Sequence, residues 1–264
     1  MSDDAVYQVT PFQRALILIF VALSTILYAS SILIVSALLP QMQGTLGATQ
    51  DEVSWTMTFN IVATAVVTPM TGWLSERFGR RNTMVWCAAI FGISTFFCGA
   101  SSSLQELIFW RIVQGGAGAP LIPLGQAVLL DAYPRRQHSF IMAIFGMANM
   151  IGPSIGPNLA GEVSEAFGWR WAFWMIVPVA VLTVVMCRIA IPTRAKRDAV
   201  ALDWGGFLTL SIAIICVQLM FSRGQRLDWF ESSEIVAAAF LAVIAFYMFI
   251  VHSLTAKNPF VRLS

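Results

Sequence analysis

Long apolar runs alternate with short polar breaks along almost the whole chain. Eight runs are long enough to cross a bilayer as helices, which takes roughly 20 mostly apolar residues. They are Ala15–Leu39, Val53–Trp73, Asn82–Ser101, Leu104–Leu130, Phe140–Gly161, Trp171–Ala190, Trp204–Phe221 and Ile235–Ser253. Most breaks are short, so successive helices are expected to lie antiparallel in a bundle. The pattern predicts an all-α membrane protein with little chain left for a soluble domain. One longer, basic break, Pro192–Asp203, separates the first six spans from the last two. The expected organisation is a six-span unit over 1–191, a loop over 192–203, two further spans over 204–254 and a tail over 255–264.

Polar residues within the spans fall on stripes. Ser24, Tyr28 and Ser31 follow i, i+4, i+7 spacing on one helical face. Asn60, Thr64, Thr68 and Thr71 share a broad face of the second span. Arg111, Gln114, Gly118 and Gly125 fall within about 60° of arc on the fourth. Such stripes join helices or line a cavity. Three of them, one carrying an arginine, point to a water-accessible central path. Arg111 lies roughly 10 Å into its span, and a charge at that depth is expected to face the interior and find partners. Pro120 and Pro123 follow a small-residue segment and are expected to bend the helix. In the fifth span, Gly152 and Gly156 with Pro153, Pro157 and Gly161 suggest tight packing at a bend.

Composition supports the same class. Hydrophobic residues make up 58% and charged residues 11%, against about 25% charged in a soluble domain. The net charge of +2 decides little; the placement of charge decides more. With a cytoplasmic N-terminus and alternating spans, the inside segments hold Arg14, Arg77, Arg80, Arg81, Arg135, Arg136, Arg188, Arg194, Lys196, Arg197, Lys257 and Arg262. The outside segments hold only Arg170, Arg223 and Arg226. That asymmetry predicts both termini inside. The acidic leader Met1-Ser2-Asp3-Asp4 and the length of the first run identify a retained helix rather than a cleaved signal.

Little else in the chain carries chemistry. Cys87, Cys98, Cys187 and Cys216 lie within or beside spans and read as small packing residues. Cys87 and Cys98 are ~16 Å apart along one helix, too far for a disulfide. His138 and His252 read as solvated or interfacial. No metal-ligand spacing is present, and no acidic residue stands in the middle of a span. An enzyme, a metal site, a cofactor and a nucleic-acid partner are therefore not expected.

The loop Gly72-Trp73-Leu74-Ser75-Glu76-Arg77-Phe78-Gly79-Arg80-Arg81 is basic and bounded by glycine. If it is helical, Glu76 and Arg80 stand one turn apart and can latch neighbouring helices. This loop, the run Leu107–Gly115 with Arg111 and Gln114, and the run Gly146–Gly156 resemble three signatures of the major facilitator superfamily. The chain most resembles that family's fourteen-helix drug:proton antiporter branch (EmrB/QacA type). Trp169–Phe173 with Pro178, Asp203–Gly206 and Arg223–Phe230 resemble the start of helix six and the two extra linker helices of that branch.

The resemblance implies a major-facilitator-type six-helix bundle plus two linker helices. It also implies a multidrug exporter of a bacterial inner membrane that moves small amphipathic molecules out against protons by alternating access. Arg111, Gln114, Ser31, Tyr28 and Asn60 would then lie on the substrate and proton path. Gly72, Glu76, Arg77, Gly79, Arg80 and Arg81 would form an inner gate, and Gly146, Gly152, Pro153 and Gly156 would shape the antiporter helix. Relatives of this kind often work with a periplasmic adaptor and an outer-membrane channel. The chain departs from the pattern in two places. Aligned on Pro40, the family's first-helix carboxylate falls on Ser31, which does not titrate, so either another carboxylate carries the proton or coupling differs. The family's second bundle would begin near Ser264. A truncated product is expected there, with a separately encoded half or a homodimer as alternatives; the competing function is a non-transporting remnant or a binding and regulatory module.

Overall fold

A computed structural model describes residues 9–192, 202–256 and 260. Arg194, Lys196, Arg197, Lys257 and Arg262, counted above as inside charges, lie outside the described residues. The described chain forms helices, with no strand among those residues. The helices are α1 (Pro11–Leu46), α2 (Gln50–Val67), α3 (Thr71–Phe78), α4 (Arg80–Ala100), α5 (Leu104–Gly118), α6 (Leu121–Ala132), α7 (His138–Phe167), α8 (Trp169–Trp174), α9 (Val177–Ala190), α10 (Trp204–Arg223) and α11 (Ser233–Thr255). Eight stretches among them are long and apolar enough to cross a membrane, in the order the sequence predicts. The protein is thus a multi-pass membrane protein.

Most spans extend beyond their apolar runs because polar caps lengthen them. Thr10 and Gln13 form a capping box with Pro11 in the first turn, so α1 starts four residues before the predicted Ala15. It then runs through Pro40 to Gly47, which ends it at φ +60°. Thr49 and Glu52 cap α2 in the same way. The second, fourth and sixth spans are each two helices in series. Pro69 lies in the 3₁₀ turn Thr68–Met70 between α2 and α3. Pro120 interrupts the fourth span between α5 and α6, as expected from its missing donor. By contrast, α7 is continuous through Pro153 and Pro157.

Two tight connections share one backbone conformation. Gly79 links the second and third spans at φ 83°, ψ 144°, and Gly168 links the fifth and sixth at φ 90°, ψ 157°. Both are in a region open mainly to glycine. One residue therefore reverses the chain at each point.

Helix α1 is the hub, packed against α2, α6, α7 and α9, while α4 packs against α5, α8 and α9. Lipid tails are as apolar as leucine, so helices associate in a bilayer through close packing and interhelical hydrogen bonds. A Cβ at Gly152 would lie 2.7 Å from the Ile26 carbonyl oxygen, and one at Gly156 2.7 Å from Ser30 Cβ. Ser30 Oγ also donates to the Gly152 carbonyl at 2.9 Å. Outward-facing side chains such as Trp86 and Phe240, 67% and 69% exposed, are apolar, as a lipid-facing surface requires.

Helices α10 and α11 pack on each other, and α10 lies on α2. Thr58 and Ser222 share a 2.6 Å hydrogen bond, Arg223 lies 5.1 Å from the Trp55 ring, and Arg226 pairs with Asp51. At the other end of this hairpin, His252 Nε2 bonds both carboxylate oxygens of Asp203 at 2.8 and 2.9 Å. His252 thus closes the hairpin.

Candidate functional site: the buried Arg111 cluster

Arg111 stands on α5, where the stripe Arg111–Gln114–Gly118 turns inward. Its side chain is fully buried, as is that of Gln114. The guanidinium donates from Nη1 to the Ser31 carbonyl at 3.0 Å and to Gln114 Oε1, and from Nε to the Thr56 carbonyl at 3.4 Å. Gln114 Nε2 donates onward to Thr95 Oγ1 at 2.7 Å. The first and second spans therefore meet the cation directly, through the Ser31 and Thr56 carbonyls, and the third joins the network through Gln114.

A neighbouring set holds α2 against α5. Asn60 Nδ2 donates to the Arg111 carbonyl at 2.9 Å. Thr64 Oγ1 reaches the Asn60 and Gly115 carbonyls and shares a 2.8 Å hydrogen bond with Tyr28 Oη. The close approach of α5 to α2 and to α1 needs glycine at one position each. A Cβ at Gly115 would collide with the Asn60 backbone, and one at Gly118 with the Tyr28 ring. Tyr28 in turn packs edge-on against Phe91 at 5.9 Å.

All five predicted path residues are thus within one cluster, with one difference in chemistry. Ser31 meets Arg111 through its backbone carbonyl, while its hydroxyl donates to the Tyr28 carbonyl at 2.7 Å. Among the described residues no carboxylate pairs with Arg111. Arg111 Nη2 and Asn60 Oδ1 are buried without a hydrogen-bond partner. A cation in such surroundings is costly, and both atoms keep hydrogen-bonding capacity that the protein itself does not use. Thr95 was missed in the sequence, although Ser94-Thr95 is a polar pair inside an otherwise apolar run.

The predicted gate loop forms α3 and the first turn of α4. The expected Glu76–Arg80 turn does not form, because Gly79 interrupts the helix between them. Arg80 pairs with Asp131 at the end of α6, and Glu76 is exposed. Arg77 lies over the Trp73 ring at 5.5 Å. Asp131 was missed because nothing in linear spacing brings it to Arg80. Of the glycines expected to shape α7, Gly152 and Gly156 are at the α1 contact, but Gly146 faces open space.

The fold defines a polytopic helical-bundle membrane protein. Two solved structures share that fold. The POT family transporter PepTSo aligns with TM-score 0.63 at 14% identity, over 93% of this chain and 54% of that one. A bacterial homolog of the human lysosomal transporter Spinster, in an inward-facing and unoccupied conformation, aligns with TM-score 0.59 at 16% identity, over 94% and 63%. The profile of the Major Facilitator Superfamily matches residues 21–258, and the chain belongs to that family. Curated relatives include the Multidrug export protein EmrB of Escherichia coli K12, 37% identical over 96% of this chain and 49% of its own length. The Haemophilus influenzae EmrB is 35% identical over 95% and 50%. The Fatty acid resistance protein FarB of Neisseria gonorrhoeae is 33% identical over 88% and 46%. The chain spans about half the length of these relatives.

Proposed function

We propose that this chain is the N-terminal half of a proton-driven exporter of small amphipathic molecules, working by alternating access in a bacterial inner membrane. The observation that carries the reading is Arg111: a fully buried guanidinium held by neutral acceptors from three spans, with Nη2 unpaired. A cation so placed attracts an anionic group arriving from a substrate or a partner half, and its field disfavours a nearby proton. The relatives named for multidrug export match the chain across almost its whole length. The arginine bias of the breaks supports cytoplasmic termini. Six spans form the unit that carries the site, the α10–α11 hairpin is a linker, and the Arg80–Asp131 pair is a latch at one end of the bundle. A periplasmic adaptor and an outer-membrane channel complete the route in a double-membrane cell.

The test is a chimera in which this chain replaces the matching half of the E. coli relative, in cells lacking their own copy. Drug resistance should return, should vanish on addition of a protonophore, and should be lost with Arg111→Ala at unchanged membrane content. A correctly inserted chimera that exports nothing would overturn the reading.

A further inference from the structure

A hollow of about 430 Å³ lies between the third and sixth spans, on the outside of the bundle. Its walls are one face of α4 from Ala88 to Phe97 and one face of α9 from Val177 to Val185. The floor is made of small residues at the closest approach of the two helices: a Cβ at Gly92 would lie 3.1 Å from Ala180 Cβ. The rims are large, apolar and half exposed, with Ile93 at 55% and Val181 at 57%. The α10–α11 hairpin packs on α2 instead.

The groove has a charged end. Arg170 Nη2 donates to the Ser101 carbonyl at 3.2 Å, one turn beyond Phe97, and its guanidinium lies 4.6 Å from the Trp169 ring. Its other donors have no partner among the described residues. Trp174 Nε1 donates to the Phe96 carbonyl at 3.2 Å, and Trp171 stands 5.3 Å from Trp174. Tryptophans with an arginine beside them mark the level of the lipid headgroups. From Phe97 back to Ala88 is about 14 Å of helix, close to the ~15 Å hydrocarbon depth of one leaflet.

We propose that the α4–α9 groove seats one acyl chain of a phospholipid whose phosphate is held by Arg170. The groove supplies apolar walls of one-leaflet length, and arginine presents paired donors that suit a phosphate. The site is separate from the Arg111 cluster and does not depend on the transport reading.

The test is photolabelling of the full chain in membranes with a phospholipid carrying a diazirine in its acyl chain, followed by peptide mass spectrometry. Adducts should concentrate on the peptides spanning 88–97 and 177–185. They should disappear when Ala89→Phe and Val181→Phe fill the hollow, with labelling of α11 unchanged. Arg170→Gln, which leaves the hollow intact, should lower groove labelling about tenfold, the weight of a charge-assisted hydrogen bond. Labelling spread evenly over all lipid-facing helices would overturn the proposal. So would groove labelling that survives Arg170→Gln and the filling pair. Capture of a free fatty-acid probe but no phospholipid, or a chain–chain adduct through the same peptides, would also overturn it.

Discussion

The Ser31 carbonyl accepts from Arg111 Nη1 at 3.0 Å, while the Ser31 hydroxyl is turned back onto the Tyr28 carbonyl at 2.7 Å. The contact that ties the first span to the buried cation is therefore independent of the Ser31 side chain. Ser31→Ala should cost less than about 1 kcal/mol, the net value of one neutral hydrogen bond. Ser31→Asp puts a carboxylate beside an arginine that has an unpaired nitrogen, and should raise stability or leave it unchanged. Thermal unfolding in detergent reads both. A large loss with Ser31→Ala would show that the hydroxyl supports the cluster directly.

Gln114 is the relay between Arg111 and Thr95. Gln114→Leu removes an acceptor from a buried cation and a donor from a buried hydroxyl. A loss of about 1–3 kcal/mol is expected, as for any buried polar group left unmatched. Thr95→Val alone should cost less, because it leaves Arg111 with its partners. The double variant should cost less than the sum of the two, since both act on one chain of bonds. Additive losses in a double-mutant cycle would mean that the relay is not a unit.

Much of this arrangement can be read in the sequence, and the rest fails for definite reasons. Apolar run lengths locate all eight spans because the bilayer sets a minimum length. Helical spacing brings out Arg111 with Gln114, and Tyr28 with Ser31, because neighbours on a face are local. Helix ends were misplaced where caps such as Thr10 with Gln13 add polar turns to an apolar run. The predicted first run stops at Leu39, yet the helix passes on through Pro40 to Leu46. The partners of Asp131 and Thr95 were hidden for another reason: each joins its partner across spans, and spacing within a span carries no record of that. The backbone role of Ser31 leaves no trace in residue identity at all.

Two glycines of α7 should respond in opposite ways. Gly152→Ala drives a methyl into the Ile26 carbonyl, Ala29 and the Ser30 amide. Backbone atoms cannot move aside cheaply, so a loss of about 1–3 kcal/mol is expected. Gly146→Ala meets open space and should be neutral or stabilising by up to ~1 kcal/mol through helix propensity. Unfolding of the two variants in the same detergent separates these outcomes. Equal effects would mean that α1 and α7 are not in close contact.

The Arg80–Asp131 pair predicts a charge effect at one end of the bundle. The Arg80 side chain is 34% exposed and that of Asp131 16%, so screening keeps the pair to about 1 kcal/mol or less. Arg80→Glu should therefore lower stability modestly in low salt and much less in high salt. The compensating pair Arg80→Glu with Asp131→Arg should recover part of it. If the loss does not change with salt, packing rather than charge holds the end of α6.

The clasp at Asp203 gives a pH dependence whose sign can be worked out. Burial works against the Asp203 carboxylate, but hydrogen bonds from the Gly206 amide, His252 and the Phe260 amide, aided by the charge of His252, outweigh it and hold the carboxyl below its usual value. A carboxyl with a lowered folded pKa contributes stability that is complete above its unfolded value of ~3.9 and disappears as the pH falls through the folded value. The native chain should therefore exceed Asp203→Asn in hairpin stability at neutral pH, and the gap should narrow and then close in acid below about pH 4. Other carboxylates titrate in the same window, but they do so in both proteins, so the difference isolates Asp203. Hydrogen exchange of the Gly206 and Phe260 amides, compared between the two proteins across that range, reports the clasp itself. A gap that widens on acidification would mean that Asp203 is held as the neutral acid.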